Sequence, residues 1–472
     1  MNIYTRLGKN TLLIFFGVFG SKVISFLMLP LYILWLSAES YGTIDLINTY
    51  NLFLFQIASL AISEAIFVFP KNSKKQIQGQ YYSTGLVYAI FTFVLTAIIF
   101  YFALEIMKIY DVTNTFTQYS WYIYLIMFVT FLHNYNQQFC RSINKIKVYA
   151  FSGLINAILI AFFSFLFIPK FGVNGYIWTN VLSFSLSSIY TFFFGSIATS
   201  FITSKIRYGL AKKLLLYSIP MIPNSIMWWL INALNRPIIE YYEGLKMVGA
   251  YAVSHKIPSL IYIVFSVFLY SWQITAFEEF HKKNYTELYN KILSILSIIL
   301  IFISCIITVF SKEILLLISS EIYTDAWVLI PIISIGVVFA SFSGFVGVNF
   351  SVLKQSKYYF YSSLWGGLVS IIFNFILIPS LGIIGAAVAS TASHLVILIF
   401  RLKYSYAKIK ITDQSKYFIL VLINLVIIYL TLSFQNTILN LIITSILFII
   451  FVVFNKKIRK DINLLCKNLI LK

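Results

Sequence analysis

Lys22 lies in the stretch GSKVISFLMLPLY (residues 20–32), deep inside an apolar run from Thr11 to Leu36. At ~1.5 Å of helix per residue it stands roughly 15–20 Å from either end, too far for its stem to snorkel through a hydrocarbon core of ~30 Å. Lys256 lies some ten residues into a second apolar run that begins near Met247, and Arg236 closes a third run that begins near Leu214. Two acids accompany them on another span. These are Asp45, with Asn48 three residues on, and Glu64, one to two turns before the basic cluster KNSKK. Ionisable groups at the centre of a span cost roughly 2.5–3.5 kcal/mol each on insertion scales, so they face protein or water and do chemistry there. A cation offers charge and hydrogen-bond donors to an anion. A carboxylate offers a counter-charge, or a site for a proton or a metal cation.

Each of these residues also has a plainer use. Lys22 could pair with a carboxylate as helix glue, although Gly17, Ser21 and Ser25 form a small-residue stripe beside it that suits a close helix contact or a cavity wall. Arg236 could anchor a helix end, with Glu240 and Glu243 at i+4 and i+7 as partners on its own helix. Glu64 could pair with Lys71, Lys74 or Lys75. His255 adjoins Lys256 but points about 100° away on a helix and reads as a packing residue. Pro220 and Pro223 in SIPMIPNS interrupt hydrogen bonding and predict a bend. The polar stretch HNYNQQFCR (133–141) fits either the lining of a cytoplasmic vestibule or an interfacial helix end.

No enzyme constellation is present. The histidines at 133, 255, 281 and 394 sit on separate segments without ligand spacing, and Cys140, Cys305 and Cys466 form neither a CxxC nor a disulfide framework. The sequence contains no P-loop, no GxSxG and no paired catalytic carboxylates. No metal or organic cofactor is expected. A coupling ion, H+ or Na+, would fall to Asp45 or Glu64.

The elements that carry these groups are membrane spans. Of 472 residues, 60% are hydrophobic and only 11% charged, against roughly 25% charged in soluble domains. Apolar stretches of span length predict fourteen transmembrane helices, an all-α integral membrane fold. With a cytoplasmic N-terminus, the cytoplasmic segments hold 28 of the 35 Lys and Arg. That bias is the positive-inside rule, and it accounts for the net charge of +20 without nucleic acid as a partner. The first ten residues lead into the first span with no small-residue cleavage site, so no removable signal peptide is expected. The termini are both expected in the cytoplasm of a multi-pass protein of the bacterial inner membrane. The external loops are too short to fold as domains.

An internal repeat organises the spans. FSFLFIPKFGVNG (163–175) and FNFILIPSLGIIG (373–385) align at an offset of 210 residues, and Lys147, Tyr149, Ser152 and Leu154 meet Lys357, Tyr359, Ser362 and Leu364 at the same offset. The two copies fall on spans 5–6 and 11–12. A shift of six spans is even, so the halves share one membrane orientation, a parallel repeat typical of transporters. The expected organisation is a six-helix lobe at 1–210, a second at 211–405, both around a central cavity, and a C-terminal helix pair with a basic tail at 406–472.

This 6+6+2 layout resembles the exporter superfamily of multidrug MATE antiporters and polysaccharide flippases. The stretches LPLYILWLSAESYGTIDLI (29–47), LLLYSIPMIPNSIMWWLINALNRPII (214–239) and VGAYAVSHKIPSLI (248–261) resemble the Wzx-type O-antigen and capsule flippases. Those flippases often end the seventh helix in Asp-Arg, where this chain has Asn235-Arg236. The resemblance implies that an undecaprenyl-diphosphate-linked oligosaccharide crosses from the cytoplasmic to the outer leaflet by alternating access. Lys22, Lys256 and Arg236 would bind the diphosphate, and Asp45 and Glu64 would couple an ion or balance charge. Polysaccharide polymerase and glycosyltransferases would be its partners, beside the bilayer itself. A lipid II flippase and a MATE-type cation antiporter remain the alternatives. The antiporter calls for acids and aromatics in its cavity, whereas the mid-span groups here are basic.

Overall fold

The structure, a computed structural model, describes residues 20–202, 206–280, 282–318, 321–353, 355, 357–406, 409–412 and 414–454. Gly17, His281, Cys466 and the basic tail lie outside these residues. Among the described residues each predicted span corresponds to a helical segment. In chain order these are α1 (Gly20–Trp35), α2 (Ala38–Ala58 continued by Ile62–Val68), α3 (Lys75–Ile109), α4 (Thr115–Ser142), α5 (146–171), α6 (173–194) and α7 (Tyr208–Glu243). They continue as α8 (Leu245–Glu279), α9 (Tyr285–Val309), α10 (Leu329–Val352), α11 (357–381), α12 (383–406), α13 (Gln414–Phe434) and α14 (Thr437–Phe454). Two compact units divide the chain, Met1–Gly249 and Ala250–Lys472, so α7 falls in the first.

The repeat is visible in the backbone. α5 passes into α6 at Gly172 (φ 54°, ψ −124°) and α11 into α12 at Gly382 (φ 57°, ψ −138°), each three residues after a proline. That region of backbone space is open to glycine and costly to any side chain. Gly175 and Gly385 serve the same turn by contact. A Cβ on either would lie 2.4 or 2.2 Å from the carbonyl oxygen of Phe167 or Leu377.

Local chemistry sets the breaks and ends that position the charged groups. Ser37 caps α2 through the Ser40 amide at 3.1 Å, and Asn114 with Thr117 forms a capping box on α4. α2 bends by 61° where Leu60 and Ala61 take left-handed φ of 48° and 51°. The Thr92 hydroxyl donates to the Ala58 carbonyl there, at 2.8 Å, satisfying a group that the break frees. α7 is interrupted at Ile219–Met221, on the proline pair as expected, and again at Ala233 and Leu234.

Interhelical polar contacts stitch both units. In the first, Tyr82 donates to Asn136 Oδ1 (2.7 Å) and Asn136 Nδ2 to Ser188 Oγ (3.0 Å), joining α3, α4 and α6 within an aromatic core of Phe93, Phe131, Tyr135 and Phe139. In the second, Asn424 Nδ2 on α13 donates to Ser304 Oγ on α9 at 3.0 Å. An apolar groove of about 1180 Å³ runs between α9, α10, α12 and α13, with Lys403, Gln414 and Tyr417 among its lining residues.

Candidate functional site

Lys22 occupies the start of the described part of α1 and is half-buried, with no acidic partner among the described residues. Ser25 beside it turns its hydroxyl to the Ser21 carbonyl (2.9 Å). The far end of α1 is fixed on α5 by Tyr32 OH with Ser164 Oγ (2.9 Å) and by the edge contact of Trp35 with Phe165. Helix α1 is therefore anchored at the end remote from Lys22.

Asp45 and Arg236 meet. Arg236 Nε donates to Asp45 Oδ2 at 3.1 Å, and Arg236 Nη1 also donates to Asn235 Oδ1 (2.9 Å) and to the Asn232 carbonyl. Only 7% of Arg236 is exposed. Its expected partners on its own helix, Glu240 and Glu243, do not take it. Glu240 instead accepts the Thr115 amide at the start of α4 (2.7 Å) and the Tyr50 hydroxyl of α2 (3.3 Å), while Glu243 is exposed. An acid at a helix N-terminus meets unpaired amides and the positive end of the dipole, which explains the choice. Trp229 Nε1 donates to the Thr49 carbonyl (2.8 Å), so four hydrogen bonds tie the second half of α7 to α2 and α4.

Glu64 is exposed on the short part of α2, flanked by buried Ile62, Ser63, Ala65 and Ile66. None of the ion pairs among the described residues includes it, so the pairing with Lys71, Lys74 or Lys75 does not form there. In the second unit, Lys256 is exposed on α8 although Tyr251 to Ser254, Ile257 and Pro258 around it are buried. It too makes no ion pair among the described residues, and its carbonyl accepts the Ser259 hydroxyl (2.6 Å). His255 lies against the Tyr251 ring at 6.1 Å, in the packing role expected of it.

The polar stretch 133–141 departs from expectation. His133, Tyr135, Asn136, Phe139 and Cys140 are buried in the first unit, and Gln137 Nε2 donates to Ser152 Oγ on α5 at 2.7 Å. These groups hold helices together rather than line a vestibule or an interface. Arg401 is the residue that sequence reasoning missed. It falls among the basic residues at the end of α12, yet it is 2% exposed. The offset of 210 that aligns it with Thr191, an interior residue of α6, was the available signal. A second unforeseen feature is the close approach of Gly42 on α2 to Gly249 on α8. A Cβ on Gly249 would stand 2.1 Å from the Ala38 carbonyl oxygen. Among the described residues no His, Cys, Asp and Glu cluster could hold a metal ion.

Residues 7–272, more than half of the chain, match the family described as polysaccharide biosynthesis protein. The chain belongs to that family. An uncharacterized membrane protein of Methanocaldococcus jannaschii is 24% identical over 325 residues, 64% of this chain and 61% of that relative's length. Among solved structures, the lipid II flippase MurJ in an inward closed conformation shares the fold with a TM-score of 0.70 at 16% identity, covering 94% of this chain and 99% of that one. An inward-facing multidrug resistance MATE family transporter of the MOP superfamily gives 0.69 at 14% identity, over 82% and 94%. A MOP superfamily transporter from Pyrococcus furiosus, whose binding pocket is described as of reverse polarity, gives 0.60 at 14%, over 84% and 94%. The chain is thus a multi-pass membrane member of the polysaccharide biosynthesis family whose fold is shared with these flippase and transporter structures.

Proposed function

We propose that this family member flips an undecaprenyl-diphosphate-linked oligosaccharide, an O-antigen or capsule repeat unit, from the cytoplasmic to the outer leaflet by alternating access. The observation that carries the reading is that Lys22 in the first unit and Lys256 in the second are each a cation inside a span with no acidic partner among the described residues. A lysine with no acidic partner in a membrane protein has its ammonium donors available to an incoming anion, and a diphosphate accepts them. Arg236 differs in that Asp45 already neutralises it, so it would reach substrate only when that pair opens. Ion coupling, by H+ or Na+, then falls to Glu64, the exposed carboxylate. The apolar groove in the second unit is of a kind to shelter part of the polyprenyl tail. The basic loops lie in the cytoplasm by the positive-inside rule.

Deletion in the native host, followed by analysis of surface polysaccharide and lipid-linked intermediates, tests this directly. Export should fall and lipid-linked oligosaccharide should accumulate inside. Lys22→Ala and Lys256→Ala should fold normally and export poorly. Full export by both single variants and by the double variant would remove the cationic-site reading. A lipid II substrate offers the same diphosphate and tail to the same lysines. It predicts a lethal deletion and accumulated lipid II instead.

A further inference from the structure

The two halves of the repeat solve one packing problem in different ways, and the second way leaves a charge over. In the first half, Gln137 of α4 donates to Ser152 Oγ of α5 (2.7 Å), and Ser152 Oγ donates to the Tyr149 carbonyl (2.8 Å). At the equivalent place in the second half, Ser362 Oγ donates to the Tyr359 carbonyl at the same 2.8 Å. The donor to Ser362 comes from a different helix. Gln137 is matched by Gly347 and Thr191 by Arg401. Arg401 of α12 reaches across and places Nε 3.0 Å from Ser362 Oγ. Gly347 makes the room, since a Cβ there would stand 2.9 Å from Arg401 Nη1 and 2.8 Å from the Tyr359 ring.

An amide has thus been replaced by a guanidinium inside the protein. Nη1 donates to the Ser343 carbonyl (2.8 Å), and the Tyr359 ring lies 4.7 Å from the guanidinium carbon. Nη2 is buried with no partner among the described residues, and so is Nδ1 of His394, two turns earlier on the same face of α12. No carboxylate among the described residues pairs with Arg401. A cation–π contact returns about 2 kcal/mol when desolvated, while a buried unpaired ion costs several. A water molecule on Nη2 satisfies the nitrogen but leaves the charge.

We propose that Arg401 is the centre of a small-anion site, holding a single halide-sized monovalent anion on Nη2 within the second unit. Burial at 2% exposure and the tight packing around Gly347 exclude a lipid phosphate in this conformation. The site uses neither Lys22 nor Lys256, so it stands whether or not the proposed substrate is right.

Purified full-length protein in nanodiscs is unfolded thermally in sodium gluconate, chloride or bromide at constant ionic strength. The expected result is a saturable rise in Tm of roughly 5 °C with halide. The double variant Gly347→Gln, Arg401→Thr recreates the first half's arrangement without the charge and should lose that dependence. Crystals grown in bromide should show an anomalous peak beside Nη2. Equal Tm of the wild type in gluconate and halide, or the same halide response in the double variant, overturns the proposal. Should the double variant fail to fold, the bromide crystals decide, and absence of the peak is then the refuting result.

Discussion

Breaking the Asp45–Arg236 pair should cost more from one side than from the other. The pair is 3.1 Å long, with side-chain exposures of 9% for Arg236 and 19% for Asp45. Removing one partner of a desolvated pair costs roughly 3–5 kcal/mol, because the other charge is left buried. Asp45→Asn leaves the guanidinium bonded to Asn235 Oδ1 and the Asn232 carbonyl, so its loss should be smaller, about 1–2 kcal/mol. Arg236→Met leaves Asp45 with no other ion-pair partner among the described residues and should cost about 3 kcal/mol. The double variant, with no charge to strand, should be no worse than Arg236→Met alone. That outcome amounts to a coupling of about 1–2 kcal/mol. Thermal unfolding in nanodiscs reads the four corners of the cycle, at roughly 2–4 °C per kcal/mol for a domain the size of the first unit. A double-variant loss equal to the sum of the two single losses would refute the reasoning, as would a larger loss from Asp45→Asn than from Arg236→Met.

Four glycine substitutions accompany it. Gly249→Ala puts a methyl group 2.1 Å from the Ala38 carbonyl oxygen and should lower stability by about 1–3 kcal/mol. Gly209→Ala, in open space near the start of α7, should be neutral or stabilising by up to about 1 kcal/mol in the same thermal assay. Gly172→Ala meets nothing within 4 Å, so any loss there is backbone strain, about 1–3 kcal/mol. Gly382→Ala should match it closely, because the two turns share their φ and ψ. A difference above about 1 kcal/mol between them would break the equivalence of the halves.

The sequence by itself determined the spans, the repeat and the turn glycines, because each is written in a local pattern. Apolar length sets a helix, the run Ile-Pro-x-x-Gly sets a kink, and an offset of 210 sets the correspondence between halves. It also marked Lys22 and Lys256, since a lysine amid apolar residues is conspicuous whatever surrounds it in space. The bend at Leu60 and Ala61 was not legible, for neither residue type favours a left-handed backbone and the Thr92 hydroxyl that supports it lies on another helix. Partners were decided only by tertiary structure. Asp45 and Arg236 stand 191 residues apart, and Glu240 crosses 125 residues to cap α4 in preference to the arginine one turn away. Arg401 reads as one more basic residue at a helix end until the helices assemble, when the space left by Gly347 draws it inside. Hydropathy reports how a residue partitions on average. Which helix faces it, and whether that helix offers an acid, a serine or a gap, is fixed only by packing between segments distant in the chain.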